Sequence, residues 1–184
     1  MVIHDGVGWL GASGAYFATP DDARHSFIQA YKSGAPEVTI KAVIIVGTAG
    51  TEGKLVASVA EPWFDILELI ERDRNIIYQI DPFKWEEIIA GAYKRAGFDE
   101  VVLTPRSGDK GRDVVATKHG VGSIRIFDQV KAYKPGHVVT AEEVRAMVGV
   151  ITGAANVSKG IITTTSTFAP RIERDDFIRP LFTD

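Results

Sequence analysis

Cysteine is absent from all 184 residues. That excludes disulfide bridges, thiol nucleophiles and cysteine-based zinc sites, and it fits a reducing compartment. Also missing is any apolar run of the ~20 residues that a membrane span needs. The first ten residues lack the basic start and long apolar stretch of a secretory leader. The expectation is a cytoplasmic protein with no membrane role. Histidine is sparse: His4, His25, His119 and His137 are scattered without metal-ligand spacing. No Gly-x-Ser-x-Gly elbow occurs. Internal repeats and low-complexity segments are lacking as well.

A strong charge of one sign is lacking too, the formal net charge being −3. Its distribution is uneven. Residues 1–80 carry 6 Lys/Arg against 10 Asp/Glu, whereas residues 84–134 carry 10 against 7. Acidic metal ligands mask basic phosphate contacts in such counts, so charge neither supports nor excludes nucleic acid as a partner.

What is present is a regular alternation of elements. Thr19-Pro20-Asp21-Asp22 has the cap, proline and acidic first turn of a helix running to Ser33. Val38 to Val46 and Leu55 to Val59 read as strands. Gly47 to Lys54 between them has the wrong spacing for a phosphate loop and reads as a hairpin turn. Pro62 opens a helix whose apolar face is read as Phe64, Leu67 and Ile70, with Ile66 a further candidate. Residues 1–80 thus form a small α+β unit, and a second unit is expected over 81–184. There, Trp85, Ile88, Ile89 and Tyr93 mark a helix ended by Gly97. Strands follow at Val101 to Leu103, Asp113 to Thr117 and Ser123 to Tyr133. Thr140 to Glu143 is a capping box opening a helix to Val150. A strand over Lys159 to Thr165 and a last helix from Pro170 complete the order. The fold class is α/β, a mixed sheet sandwiched by helices.

The chemistry concentrates in two short segments, Gly111-Arg112-Asp113 and Asp128-Gln129-Val130-Lys131. Gln129 and Lys131 lie two apart on one strand and share a face, and Asp113 can meet that face if the two strands pair. Phosphodiester hydrolysis needs a cation to neutralise developing charge and to acidify the attacking water. Mg²⁺ takes oxygen ligands and keeps several waters, so it needs few protein groups. Asp113 can supply the charged ligand, and the Gln129 amide oxygen and Val130 carbonyl the neutral ones. Lys131 can orient or deprotonate water, or stabilise the pentavalent phosphate. Arg106, Lys110 and Arg112 crowd the loop before Asp113 and suit phosphate contacts. Asp109 reads as a turn residue there. Asp128 points away from Gln129 by alternation, as an exposed or structural carboxylate.

These segments stand in a longer pattern. Lys84-Trp85-Glu86-Glu87-Ile88-Ile89, Ala96-Gly97-Phe98, the stretch Leu103 to Val114, Gln129-Val130-Lys131, Val144-Arg145, Gly149 and the strand from Lys159 come in one order. Over about residues 82–170 this resembles the Mrr-like restriction endonuclease catalytic domain of the PD-(D/E)XK nuclease superfamily. The resemblance implies a restriction-endonuclease-like fold with an active site of Glu86, Asp113, Gln129 and Lys131. Asp113, Gln129, Val130 and Glu86 would be the metal ligands. Glu87 adjoins Glu86 and competes for its role. The resemblance also implies a Mg²⁺-dependent endodeoxyribonuclease of restriction or defence (Mn²⁺ substituting), with DNA as partner and a homodimer as its assembly. A catalytically silent nucleic-acid-binding module on the same fold, or an RNA or repair nuclease, are the rival readings. Arg112 stands where the family usually has an aliphatic residue, and the chain ends where a final family strand would follow.

Overall fold

The computed structural model describes residues 43–105 and 111–178, together with the backbone of three two-residue strands before them. These are β1 (Ile3–His4), β2 (Trp9–Leu10) and β3 (Tyr16–Phe17), which pair antiparallel in that order. The helix expected over residues 19–33 lies outside the described residues, as do Arg106, Asp109 and Lys110.

The glycine-rich stretch after Val46 closes a hairpin. β4 (Ile44–Ala49) and β5 (Lys54–Val59) pair antiparallel, and the Gly50 N–H donates to the Gly53 carbonyl at 2.8 Å. β5 then pairs with β6 (Glu100–Leu103), β6 with β7 (Val114–Lys118) and β7 with β8 (Ile124–Lys131), all antiparallel. β10 (Lys159–Thr164) adds to β8 in parallel, giving a six-stranded mixed sheet in the order β10-β8-β7-β6-β5-β4. β9 (Val138–Val139) and β11 (Thr167–Phe168) form a small parallel pair beside it.

Among the described residues three helices flank the sheet: α1 (Glu61–Arg72), α2 (Pro82–Arg95) and α3 (Ala141–Thr152). Asp81 caps α2 by accepting from the Phe83 and Lys84 N–H groups, with Pro82 in the first turn. α3 begins with the expected capping box, Thr140 and Glu143 exchanging hydrogen bonds. Val114, Ala116 and Ile126 face α2 in the main core with Trp85 and Ile88. Strand alternation turns Phe127 to the opposite face. There α3 covers the sheet closely, because a Cβ on Gly160, the β10 partner of Phe127, would lie 2.2 Å from Ile151 Cδ1.

Three expectations need correction. The divide expected at residues 80–81 is not a break in packing, since β5 pairs with β6 and one core joins Val43, Val56, Trp63 and Ile66 to Trp85, Ile88 and Val101. On α1 the buried stripe is Trp63, Ile66 and Leu69, and Phe64 is 44% exposed. The tryptophan decides the rotation: its indole N–H donates to the Ile88 carbonyl at 2.9 Å, and its ring abuts Gly91 of α2. The helix expected from Pro170 is, through residue 178, only a 3₁₀ turn at Ile172–Arg174. Arg171, at φ 64°, breaks any continuation from the proline.

Candidate active site

Asp113 lies immediately before β7, and its N–H donates to the Asp128 carbonyl at 2.9 Å. β7 begins at Val114 opposite Asp128, so beyond that pair β8 has no strand partner on this side. The Asp113 carboxylate takes the missing partner's place. Its Oδ2 accepts from the Val130 N–H at 2.7 Å. The Lys131 carbonyl is turned to the other side, where the Thr164 hydroxyl and Thr165 N–H reach it. Alternation therefore turns the Val130 carbonyl to the Asp113 edge. Gln129 and Lys131 flank this point on the α3 face. Gly111, at φ +77°, packs against the Gln129 amide, where a Cβ would also strike Val150 Cγ2 at 2.9 Å.

Lys131 does not stand alone. Its Nζ lies 3.4 Å from Glu143 Oε1 at the start of α3. Glu143 also accepts from the Tyr133 hydroxyl and from Thr140. Partial burial would raise the Glu143 carboxyl, but the Thr140 N–H, the two hydroxyls and Lys131 overcome it and hold the pKa at about 2. Burial and the adjacent Glu143 push Tyr133 up to about 12. The ammonium therefore faces a fixed carboxylate. Sequence reasoning had found Glu143 as a helix cap, with no signal that it would also meet Lys131.

On the opposite face Asp128 is structural and buried, at 1% exposure. Its Oδ2 accepts from the Tyr93 hydroxyl at 2.8 Å and the Thr163 hydroxyl at 2.9 Å, tying β8 to α2 and β10. Burial pushes its carboxyl up to about 6 against the pull of those two bonds, and the charge of Asp113 adds to the rise. Tyr93 is raised as well, by burial and then by Asp128.

Glu86 lines a cavity with Lys54, Phe83, Glu87, Leu103 and Thr104. Thr104 links that cavity to the aspartate: its N–H donates to the Asp113 carbonyl at 3.0 Å and its hydroxyl to the Arg112 carbonyl at 2.6 Å. Glu87 lines the same cavity, but it pairs with Lys84 at 2.6 Å. Arg112, expected as a phosphate contact on the loop before Asp113, has a side chain 13% exposed, 3.2 Å from Glu52 and stacked 4.3 Å above the Phe127 ring. Arg125, which sequence reasoning passed over, joins it at Glu52 and lies 5.6 Å from the same ring. The signal was present in the same-face series 125, 127, 129 and 131 along β8.

Among the described residues no three acidic or histidine side chains converge as a metal cluster. Oxygen donors that lie near Val130 in sequence and strand order are the Asp113 carboxylate, the Gln129 side chain and the Val130 carbonyl. Such hard oxygen donors fit Mg²⁺ or Mn²⁺, with water filling the remaining positions.

In this mixed sheet an aspartate precedes β7, and the antiparallel neighbour β8 ends in Gln-x-Lys beside it, the order the sequence resemblance implied. The restriction endonuclease family model, the Mrr catalytic domain, matches residues 77–174, more than half of the chain. The chain belongs to this family. No curated protein matches it in sequence. Among solved structures it is similar to the MspJI restriction endonuclease in complex with a 27-mer oligonucleotide, at 15% identity and a TM-score of 0.38. That match covers 64% of this chain and 26% of the other, so the chain spans about a quarter of that structure's length. No helix among the described residues is long and apolar enough to cross a membrane.

Proposed function

We propose that this protein is a Mg²⁺-dependent endonuclease that hydrolyses phosphodiester bonds in DNA, working in the cytoplasm as a type IV-like restriction or defence enzyme. The observation that carries the reading is the Asp113 carboxylate held at 2.7 Å on the Val130 N–H, between Gln129 and Lys131. A fixed carboxylate at an open strand edge is costly to assemble unless its charge is used.

When bound, Mg²⁺ neutralises charge on the phosphate and lowers the pKa of the attacking water. Asp113, the Gln129 side-chain oxygen and the Val130 carbonyl would hold it, with Glu86 approaching from α2. Lys131 would hold the attacking water or offset charge at the non-bridging oxygens. Glu143, 3.4 Å from its Nζ, would hold that lysine in place beside α3. Arg106 and Lys110, from the loop before Asp113, would contact flanking phosphates. Residues 1–80 would add substrate recognition, the contacts of a homodimer or support for the core.

Purified protein should nick or linearise plasmid DNA with Mg²⁺ or Mn²⁺, and EDTA should abolish it. An RNA of equal length should survive. Shift of DNA without cleavage under either metal would favour the silent-module reading and end this one.

A further inference from the structure

A second cavity lies on the α3 face, walled by Glu52, Arg112, Arg125, Phe127, Gly149 and Gly153, with a volume of about 370 Å³. That is within the range of small-ligand sites. Phe127 is its floor, 1% exposed, and both guanidiniums lie over the ring. The two arginines come from opposite ends of the β7–β8 hairpin, and Glu52, from the β4–β5 turn, pairs with both. Each gives Glu52 an Nη2 hydrogen bond. Each Nε is buried, and neither finds an acceptor among the described residues. The α3 wall consists of small residues, Gly149, Gly153, Ala154 and Ala155, which leave the space open.

Two guanidiniums and one carboxylate leave a net positive charge facing a cavity. The partner that suits a guanidinium fork lining a cavity is an oxyanion. Charge and geometry agree. We propose that this cavity binds a phosphate group. The site lies one same-face step, about 7 Å, from Gln129 along β8. A phosphate of the substrate strand next to the scissile one would fit there, an identification that rests on the nuclease reading. Free phosphate shares the same chemistry. Glu52 orients the guanidiniums and at the same time weakens an anion's hold.

The test uses Arg125→Gln and Glu52→Gln proteins in EDTA, with folding checked by circular dichroism. Without metal, Asp113 repels phosphate from the main site, so binding reports the cavity. Inorganic phosphate, titrated calorimetrically at constant ionic strength, should bind several-fold more weakly to Arg125→Gln. It should bind several-fold more tightly to Glu52→Gln, which keeps an oxygen acceptor and loses the charge. A salt-bridge cluster with only a structural role predicts no such opposition. The salt slope of duplex binding, read by fluorescence anisotropy, should drop by ~1 in Arg125→Gln, the value for one phosphate contact. An unchanged slope beside altered phosphate binding supports the site and assigns it to free phosphate. Phosphate affinities that do not move, or that move together in both variants, overturn the proposal. A wild-type protein that shows the phosphate effects but never cuts DNA would refute the nuclease reading and leave the site standing.

Discussion

At the scale of single residues, the proposed roles separate holding a cation from using it. Asp113→Ala removes the one carboxylate among the donors on the Val130 edge. Metal affinity and cleavage should therefore fall together. Gln129→Glu keeps an oxygen donor and adds charge, and it should stay active with tighter metal binding. Lys131→Ala leaves every oxygen donor in place. Mn²⁺ should still bind by calorimetry while cleavage falls ~10²-fold or more, the scale for losing a positioned acid, base or electrostatic group. Full cleavage by the Lys131 variant, or loss of metal and cleavage together, would remove that lysine from the chemistry. Asp113, Gln129 and Lys131 were legible because their spacing is local and strand alternation fixes their faces. Arg125 and Glu52 were not. Their meeting depends on a hairpin turn 73 residues away in sequence reaching over the sheet, which no spacing rule encodes.

At the scale of elements, order was easier to read than orientation. Strands β5 to β8, α2, α3 and β10 lie where alternation, capping and turn residues put them. The rotation of α1 was read only in part: Ile66, Leu67 and Ile70 do meet the core, but Phe64 does not, and the contact of Trp63 with α2 turns the buried stripe to Trp63-Ile66-Leu69. That contact makes a prediction. Glycine to alanine within a helix normally stabilises by ~0.5–1 kcal/mol. At Gly91 the added Cβ would lie 2.5 Å from Trp63 Nε1, so Gly91→Ala should destabilise by ~1–3 kcal/mol. A chemical-denaturation midpoint that rises would contradict the packing. The tie of β8 to α2 through Asp128 predicts a pH effect with a definite sign. Its folded pKa of about 6 lies above the ordinary value of 3.8, so the folded state holds the extra proton between them. Stability of the metal-free protein should fall as pH rises from about 4 to about 6, then level off. Glu143 acts oppositely: with its pKa near 2, its contribution is present above 4.5 and lost as pH falls toward 2. Asp128→Asn should flatten the fall above pH 4 and leave the acid limb. Equal slopes in the variant and the wild type would place the titration elsewhere.

At the scale of the whole molecule, one sheet and one core run across the position where two units were expected. The charge shift near residue 80 is real, but charge says little about where a core ends. Assembly belongs to this scale too. Cutting both strands of a duplex calls for two active sites, which a chain of 184 residues reaches most simply by two-fold pairing. Light scattering should give the mass of two chains at micromolar concentration, with or without DNA. A single-chain mass under both conditions would end that reading.

Strand β8 works on both of its faces at once. Arg125, Phe127, Gln129 and Lys131 look toward α3, while Ile126 and Asp128 look toward α2. Such a strand tolerates changes of letter better than changes of length. One residue inserted after Phe127 would turn Gln129 and Lys131 inward beneath α2 and carry Asp128 out to the other side, exchanging the proposed catalytic row for the structural one at a stroke. The turn at residues 119–123, largely exposed, carries no such two-sided constraint. Over evolutionary time this domain can therefore drift in length at the tip of its hairpin, while the strand that follows keeps its count of residues even as their identities change.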